Sequence, residues 1–119
     1  MKNILVIEDE PDILENVVDL LVLEGYGTLG ALNGEKGVEL AQTESPDLII
    51  CDIRMPGIDG YDVLNTIKKD PVTQRIPFIF MSSNADLNDI RKIEAKGIDY
   101  LVKPFEIEDL LSAVNANIS

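Results

Sequence analysis

Residues 47–60 read DLIICDIRMPGIDG, and the order of residue types in this stretch predicts the class of fold. Residues 48–51 are apolar without interruption, as expected for a parallel strand that helices cover on both faces. The strand ends at Asp52, and the Pro and Gly residues that follow favour a turn. Residues 61–69, YDVLNTIKK, then have the spacing of a helix. A buried strand, a turn and a helix in this order predict one unit of an α/β fold with a parallel sheet.

The same alternation of strand and helix continues through the rest of the chain. Short apolar runs predict strands at 4–7, 26–32, 47–53, 78–82 and 99–104. Helical spacing predicts helices at 12–26, 34–44, 61–69, 85–97 and 106–118. Gly25 and Gly97 are the predicted ends of the first and fourth helices. The whole chain therefore reads as repeated strand–helix units.

The length, composition and charge of the chain exclude several classes of protein. At 119 residues, the chain is expected to fold as one domain, residues 1–119, with a core of its own. Its net charge of -12 argues against nucleic-acid binding, because phosphate backbones attract Lys and Arg. The absence of His and of a Cys pair excludes most hydrolase and zinc sites. The apolar runs are too short for a membrane span or signal peptide, and Cys51 is a single cysteine, so a cytoplasmic location without membrane contact is expected.

Polar side chains follow the apolar strands at the point where each strand ends. The residues in these positions are Glu8, Asp9, Asp52, Ser82, Ser83 and Lys103. Taken alone, the acids at 8–10 fit capping of the next helix equally well, because a helix N-terminus favours negative charge. The carboxyl ends of parallel strands share one edge of the sheet, however, and ligands bind there. The set as a whole therefore predicts a small site for phosphate and metal.

Each residue type in this set has a role in phosphoryl chemistry. Carboxylates such as Asp9 and Asp52 are the ligands that Mg²⁺ takes from proteins. A carboxylate beside the metal can also act as the nucleophile and form an acyl phosphate. The metal and Lys103 would supply positive charge, and the Ser82 hydroxyl would donate a hydrogen bond.

Four stretches together resemble the receiver domain of bacterial two-component response regulators. They are VIEDEPD (6–12), DLIICDIRMPGIDGYDVL (47–64), PFIFMSS (77–83) and GIDYLVKPF (97–105), in the order and spacing of that family. The resemblance covers essentially the whole chain. It implies a flavodoxin-like (βα)5 doubly wound parallel sheet with strand order 2-1-3-4-5.

The resemblance also implies a role for each acid. Asp52 matches the aspartate that accepts a phosphoryl group, and it also contacts the metal. Asp9 matches the direct ligand of Mg²⁺, and Glu8 matches the acid that acts through water. Arg54 occupies the position whose backbone carbonyl completes the metal site. Mn²⁺ is a possible substitute for Mg²⁺.

Four further positions match the family's signalling residues. Lys103 matches the lysine that pairs with the phosphoryl group, and its peptide bond to Pro104 is expected to be cis. Ser82 and Tyr100 match the hydroxyl and the aromatic side chain of the switch. Phosphorylation is therefore expected to change the surface around these two residues and around the fourth and fifth helices.

Arg54 and Asn84 vary in the family and border the path of the water that removes the phosphoryl group. They lie two residues past Asp52 and Ser82, respectively. We hypothesise that Arg54 shields the phosphoryl group, because a metal and a lysine already neutralise its charge. Asn84 is short and polar and is expected to order a water. Both residues are therefore predicted to tune the phosphorylated lifetime.

Three classes of function are compatible with an aspartyl nucleophile. A phosphorylation-dependent switch would catalyse its own phosphorylation and dephosphorylation. An aspartyl phosphatase of the haloacid dehalogenase type requires D-x-D-x-T, and residues 51–55, CDIRM, lack the second Asp. A pseudo-receiver that only binds proteins usually lacks an acid or the lysine, and this chain has both. The sequence favours the first class.

The resemblance implies protein partners for such a switch. The phosphoryl donor would be a sensor histidine kinase or a phosphotransfer protein. The output would pass to a downstream effector protein or to an output domain that this chain does not contain. Ala113 stands where the winged-helix transcription factors of the family carry a basic residue that bridges a dimer. The chain is therefore expected to be a monomer or a weak phosphorylation-dependent dimer.

Overall fold

The computed structural model describes residues 1–83 and 87–118, and within them five strands form one parallel sheet. The strands are β1 (Asn3–Ile7), β2 (Gly27–Ala31), β3 (Leu48–Asp52), β4 (Phe78–Ser82) and β5 (Asp99–Val102). Their order across the sheet is β2-β1-β3-β4-β5. The predicted flavodoxin-like fold is therefore confirmed. The order reverses between β1 and β3, which is the place where folds of this class bind ligands.

Five helices in the described residues cover the two faces of the sheet. They are α1 (Pro11–Leu23), α2 (Gly34–Glu44), α3 (Gly60–Lys69), α4 (Leu87–Ala95) and α5 (Ile107–Asn117). On one face, α1 and α5 bury side chains that include Val17 and Leu110. On the other face, α2, α3 and α4 bury Ala41, Ile67 and Ile93, respectively. The sheet is thus covered on both sides, as its uninterrupted apolar strands predict.

The central strand β3 is buried along its whole length, and its residues alternate between the two cores. Ile50 packs with α1 and α5, while Cys51 packs with the opposite three helices. The Cys51 side chain is fully buried, and burial raises the pKa of its thiol well above the usual range. The interpretation of Cys51 as a core residue agrees with this position.

Helix boundaries differ from the sequence predictions by a few residues, for local reasons. The first helix ends at Leu23, two residues before its predicted end at Gly25, which has a left-handed φ of 92°. The amide of Tyr26 then donates to the carbonyl of Leu21, which closes the helix end. Strand β5 stops at Val102, two residues before the predicted end. Residues 85 and 86 of the predicted fourth helix lie outside the described residues.

Turn chemistry places α3 as the sequence predicts. The Asp59 carboxylate accepts a hydrogen bond from the amide of Asp62, and the Asp62 carboxylate accepts one from the amide of Asp59. This reciprocal capping box fixes the first turn of α3 directly after the loop that follows β3.

No helix in the part of the chain that the structure describes is both long enough and apolar enough to cross a bilayer.

Candidate functional site

Three acidic side chains meet where β1 and β3 end side by side. Glu8 and Asp9 follow β1, and Asp52 is the last residue of β3. One carboxylate oxygen from each of the three lies within 4.8 Å of the others. Glu8 is fully buried, Asp52 is 5% exposed, and Asp9 is partly exposed. The strand-end pattern in the sequence predicts this convergence.

Lys103 brings a positive charge to the same cluster. Its Nζ atom lies 3.4 Å from the Asp52 carboxylate and forms a shorter ion pair with Glu8. The side chain of Lys103 is 13% exposed. Its backbone amide donates to the Ser82 carbonyl at 2.7 Å, so the pairing of β5 with β4 sets its position. The lysine therefore lies between a fully buried acid and Asp52.

The electrostatics of the cluster favour an additional cation. Burial raises the pKa of Asp52, although Lys103 and a hydrogen bond with Glu8 oppose the shift. Burial also raises the pKa of Asp9, and the nearby Glu8 adds to the effect. For Lys103, burial alone would lower the pKa, but the hydrogen bond with Glu8 and the charge of Asp52 outweigh it, and the pKa rises. The lysine thus stays protonated, while the two aspartates carry their charge at a cost.

The donor set of the cluster fits a hard divalent cation. Carboxylate oxygens converge from Glu8, Asp9 and Asp52, and Mg²⁺ takes such oxygens together with waters. Burial raises the pKa of Asp9 and of Asp52, and a bound cation would stabilise their charged forms. These three residues would hold the ion.

Ser82 and Ser83 lie at the end of β4, on the same edge of the sheet. Ser82 is 5% exposed and is paired with Val102 in the register between β4 and β5. In the register between β3 and β4, Asp52 is paired with Met81, which directly precedes Ser82. Ser82 therefore stands one residue beyond the level of Asp52, while Ser83 is exposed.

A comparison with known protein families matches residues 4–115 to the response regulator receiver domain. The chain belongs to this family. The resemblance seen in the sequence is confirmed, and the match covers every residue of the acidic cluster together with Lys103.

Individual relatives of this receiver domain differ in length. Protein PilH of Pseudomonas aeruginosa is 36% identical over 117 residues, which cover 98% of this chain and 97% of PilH. The dual master transcriptional regulator RpaA of Synechocystis is also 36% identical over 117 residues, but these cover only 48% of RpaA. The chain thus spans about half the length of several curated relatives that it matches, including RpaA and the ycf27 proteins.

Solved structures have the same fold as this receiver domain. Chemotaxis protein CheY4 of Vibrio cholerae superposes with a TM-score of 0.91 at 25% identity, covering 99% of both chains. A response regulator receiver domain from Clostridium thermocellum superposes with a TM-score of 0.89 at 34% identity, covering 99% of this chain and 94% of that one.

Arg54 of the receiver domain contacts helix α4. Its guanidinium donates to Asp89 at 2.7 Å, and the Asp89 side chain is 5% exposed. The other Asp89 oxygen accepts a hydrogen bond of 2.7 Å from the Tyr61 hydroxyl. Burial and this bond raise the pKa of Tyr61. Asp89 was not among the sequence-predicted site residues, although its position four residues before the buried Ile93 places both on one helical face.

The other sequence-predicted residues of the receiver domain lie around the cluster. Tyr100 is half-buried and packs against the core formed with α2, α3 and α4. The peptide bond between Lys103 and Pro104 is cis. Asn84, a predicted tuning residue, lies outside the described residues. Ala113 is partly buried against the core formed with α1 and α5.

Gly60 holds the loop after β3 close to the backbone of Asp52. A Cβ atom on Gly60 would lie 2.4 Å from the Asp52 carbonyl oxygen and 2.9 Å from the Ile53 Cα. The Gly60 amide also donates to the Ile53 carbonyl at 2.8 Å. Only a residue without a side chain fits this approach, so Gly60 supports the backbone that carries the candidate phosphoacceptor. Sequence reasoning assigned Gly60 only to the turn.

Proposed function

We propose that this receiver domain accepts a phosphoryl group on Asp52 and acts as a phosphorylation-dependent switch. The observation that carries the proposal is the position of the Asp52 carboxylate, which lies 3.4 Å from Lys103 and within 4.8 Å of Glu8 and Asp9. A nucleophile, a fixed ammonium group and ligands for a divalent cation are the parts that phosphoryl transfer needs. The donor is a sensor histidine kinase or a phosphotransfer protein.

Phosphoryl transfer to Asp52 forms one bond to phosphorus and breaks another. An Asp52 carboxylate oxygen attacks the phosphorus atom, and the new P–O bond forms as the bond from phosphorus to the donor nitrogen or oxygen breaks. The electron pair of that bond leaves with the donor. Lys103 offsets the negative charge on the phosphoryl oxygens, since its raised pKa keeps it protonated. Mg²⁺ held by Asp9, Asp52 and, through water, Glu8 would supply further positive charge, with the Arg54 carbonyl as an additional ligand.

Hydrolysis returns the switch to its starting state. Water attacks the phosphorus atom, the bond to the Asp52 oxygen breaks, and inorganic phosphate leaves. The same residues serve both reactions, so the domain promotes its own phosphorylation and dephosphorylation. The time between the two events sets the length of the signal.

The signal would leave the site through β4 and β5. Ser82 is buried at the end of β4, where its hydroxyl would donate to the phosphoryl group. Tyr100 lies half-buried in the neighbouring strand and would move inward with it. The surface formed by α4 and α5 would then change its affinity for an effector protein or an output domain. RpaA, a transcriptional regulator, is about twice the length of the match, whereas PilH is matched almost entirely. The relatives thus include proteins with a further segment beyond the match and proteins that the match nearly fills.

Intact-mass measurement tests the proposal directly. Incubation with acetyl phosphate and Mg²⁺ should add one phosphoryl group to the wild-type chain and none to Asp52→Asn. Asp12→Asn is the matched control, because Asp12 is an exposed acid in the first turn of α1 and outside the cluster. Mass gain in Asp52→Asn, or equal gain in EDTA, would contradict the site assignment.

A further inference from the structure

The side chain of Asp89 joins three elements around the phosphoacceptor loop. One of its oxygens binds the Arg54 guanidinium at 2.7 Å, and the other accepts from the Tyr61 hydroxyl at 2.7 Å. Arg54 belongs to the loop after β3, Tyr61 to the first turn of α3, and Asp89 to the first turn of α4. One carboxylate therefore ties α4 to both of the other elements.

This arrangement differs from an ordinary surface ion pair. The Asp89 side chain is only 5% exposed, whereas the Arg54 side chain is 61% exposed. The Tyr61 ring packs on Phe80 of β4 with the ring centroids 5.4 Å apart, so the phenol is held in place. The Lys92 ammonium lies 5.6 Å from the centre of the same ring. The acid is thus fixed and buried, while most of the side chain of its arginine partner is exposed to solvent.

A phosphoryl group on Asp52 would compete with Asp89 for this arginine. Arg54 is two residues past Asp52, in the loop that follows β3. A guanidinium offers a planar fork that fits a carboxylate or a phosphate equally well in shape. A phosphoryl group carries about −1.5 to −2 charges, against one negative charge for a carboxylate. Asp89 would still keep its bond from Tyr61 after Arg54 left.

We propose that Asp89 is a positioning residue that competes with the phosphoryl group for Arg54. In the unphosphorylated chain it holds the guanidinium on α4. After phosphorylation, the guanidinium moves to the phosphoryl group, shields it from water, and releases the first turn of α4 from the phosphoacceptor loop. The Asp89 carboxylate then sets both the phosphorylated lifetime and the attachment of α4. This inference rests on the proposed phosphorylation of Asp52.

Asp89→Asn tests the competition with little change of shape. Aspartate has two acceptor oxygens, which bind Arg54 and Tyr61 separately. Asparagine has one acceptor oxygen and no charge, so it cannot serve both donors in the same geometry. Without the charge of Asp89 as a competitor, Arg54 would stay on the phosphoryl group for longer. We expect Asp89→Asn to lengthen the phosphorylated lifetime several-fold.

The decisive measurement is the dephosphorylation rate of four proteins: wild type, Asp89→Asn, Arg54→Ala and the double variant. Arg54→Ala should shorten the lifetime several-fold, and adding Asp89→Asn in that background should then change nothing. Glu39→Gln is the matched control, because it breaks an exposed ion pair with Lys36 of 3.2 Å on α2 and should leave the lifetime unchanged. An equal effect of Asp89→Asn with and without Arg54 would overturn the proposal, as would a lifetime that Asp89→Asn leaves unchanged.

A second measurement needs no substitution at Asp89. Beryllofluoride with Mg²⁺ mimics a phosphoryl group on a carboxylate, and it should speed the hydrogen exchange of the backbone amides of residues 89–95 in the wild type. In Arg54→Ala these amides should exchange faster from the start and respond little to beryllofluoride. An equal response in both proteins would overturn the proposal. A wild-type chain that acquires no phosphoryl group on Asp52 would instead contradict the proposed function, so the two failures are distinguishable.

Discussion

In this receiver domain the side chain of Lys103 pairs most closely with Glu8, a residue 95 positions earlier in the chain. Asp52 is the second partner of the lysine, at 3.4 Å. Glu8 has no exposed surface, and a buried carboxylate is stable as an anion only with a close cation or hydrogen bonds. The lysine therefore already serves one acid before any phosphoryl group arrives on Asp52, and the proposed phosphoryl group must share it with Glu8.

Lys103→Met should destabilise the chain strongly. The substitution leaves the Glu8 carboxylate buried without its cation, and breaking a buried pair from one side costs on the order of 3 kcal/mol. Adding Glu8→Gln should recover part of this loss, because the uncompensated charge is then gone. Urea unfolding of the two single variants and the double variant measures both effects. Additive losses would mean that the two residues stabilise the fold independently.

Asp9→Asn should raise the melting temperature of the metal-free chain by a few degrees. Burial and the nearby Glu8 disfavour the charged form of Asp9, and the neutral amide removes that penalty. The same substitution should weaken Mg²⁺ binding, since one carboxylate ligand is lost. Thermal melts in EDTA and in Mg²⁺ separate the two effects. The explanation fails if Asp9→Asn melts lower in EDTA or gains as much from Mg²⁺ as the wild type does.

The stability gain of Asp9→Asn should depend on pH. The folded chain raises the pKa of Asp9 above its ordinary value of 3.8, so the folded state binds this proton more tightly than the unfolded state. The favourable contribution of protonated Asp9 is therefore complete below that ordinary value and is lost as pH rises through the folded pKa. Urea unfolding in EDTA should give wild type and Asp9→Asn similar stability near pH 3. The gap should open as pH rises towards 7, and a gap that is constant with pH would refute this origin.

Gly60→Ala should both destabilise the fold and slow phosphorylation. The new Cβ atom would lie 2.4 Å from the Asp52 carbonyl oxygen, and backbone cannot rotate away as a side chain can. We expect a loss of about 1–3 kcal/mol, as for other overpacked sites. Gly30→Ala is the control, because the atoms nearest to its Cβ belong to the Leu14 side chain, the first of them at 3.3 Å. Equal losses for the two variants, with normal phosphorylation of Gly60→Ala, would show that the close approach has no special importance.

The convergence of the acids was predictable because it follows from topology. Parallel strands end at one edge of a sheet, so the residues after the apolar runs must lie near one another. Glu8, Asp9 and Asp52 meet for that reason, and Lys103 reaches them from β5. The pairing preference of Lys103 for Glu8 depends on side-chain reach and burial, which the order of strands does not determine.

The contacts of Arg54 were not predictable from sequence. They depend on the rotation of α4 about its axis, which turns Asp89 inward together with Ile93. Leu87, an apolar residue in the first turn of the same helix, is 63% exposed, whereas Asp89 is buried. An acid is buried only where hydrogen-bond donors can reach it. For Asp89 these donors are Arg54 and Tyr61, which lie far from it in the sequence.

The burial of Cys51 gives the chain an internal reporter of strand opening. It is the single cysteine of the chain, it is fully buried in β3, and it directly precedes Asp52. A thiol reagent can reach its sulfur only when the central strand separates from its covering helices. The labelling rate of the unmodified protein therefore measures how often the segment that carries the phosphoacceptor opens. Comparing the labelling rate with and without a bound ligand would show how that ligand changes the opening, with no attached probe.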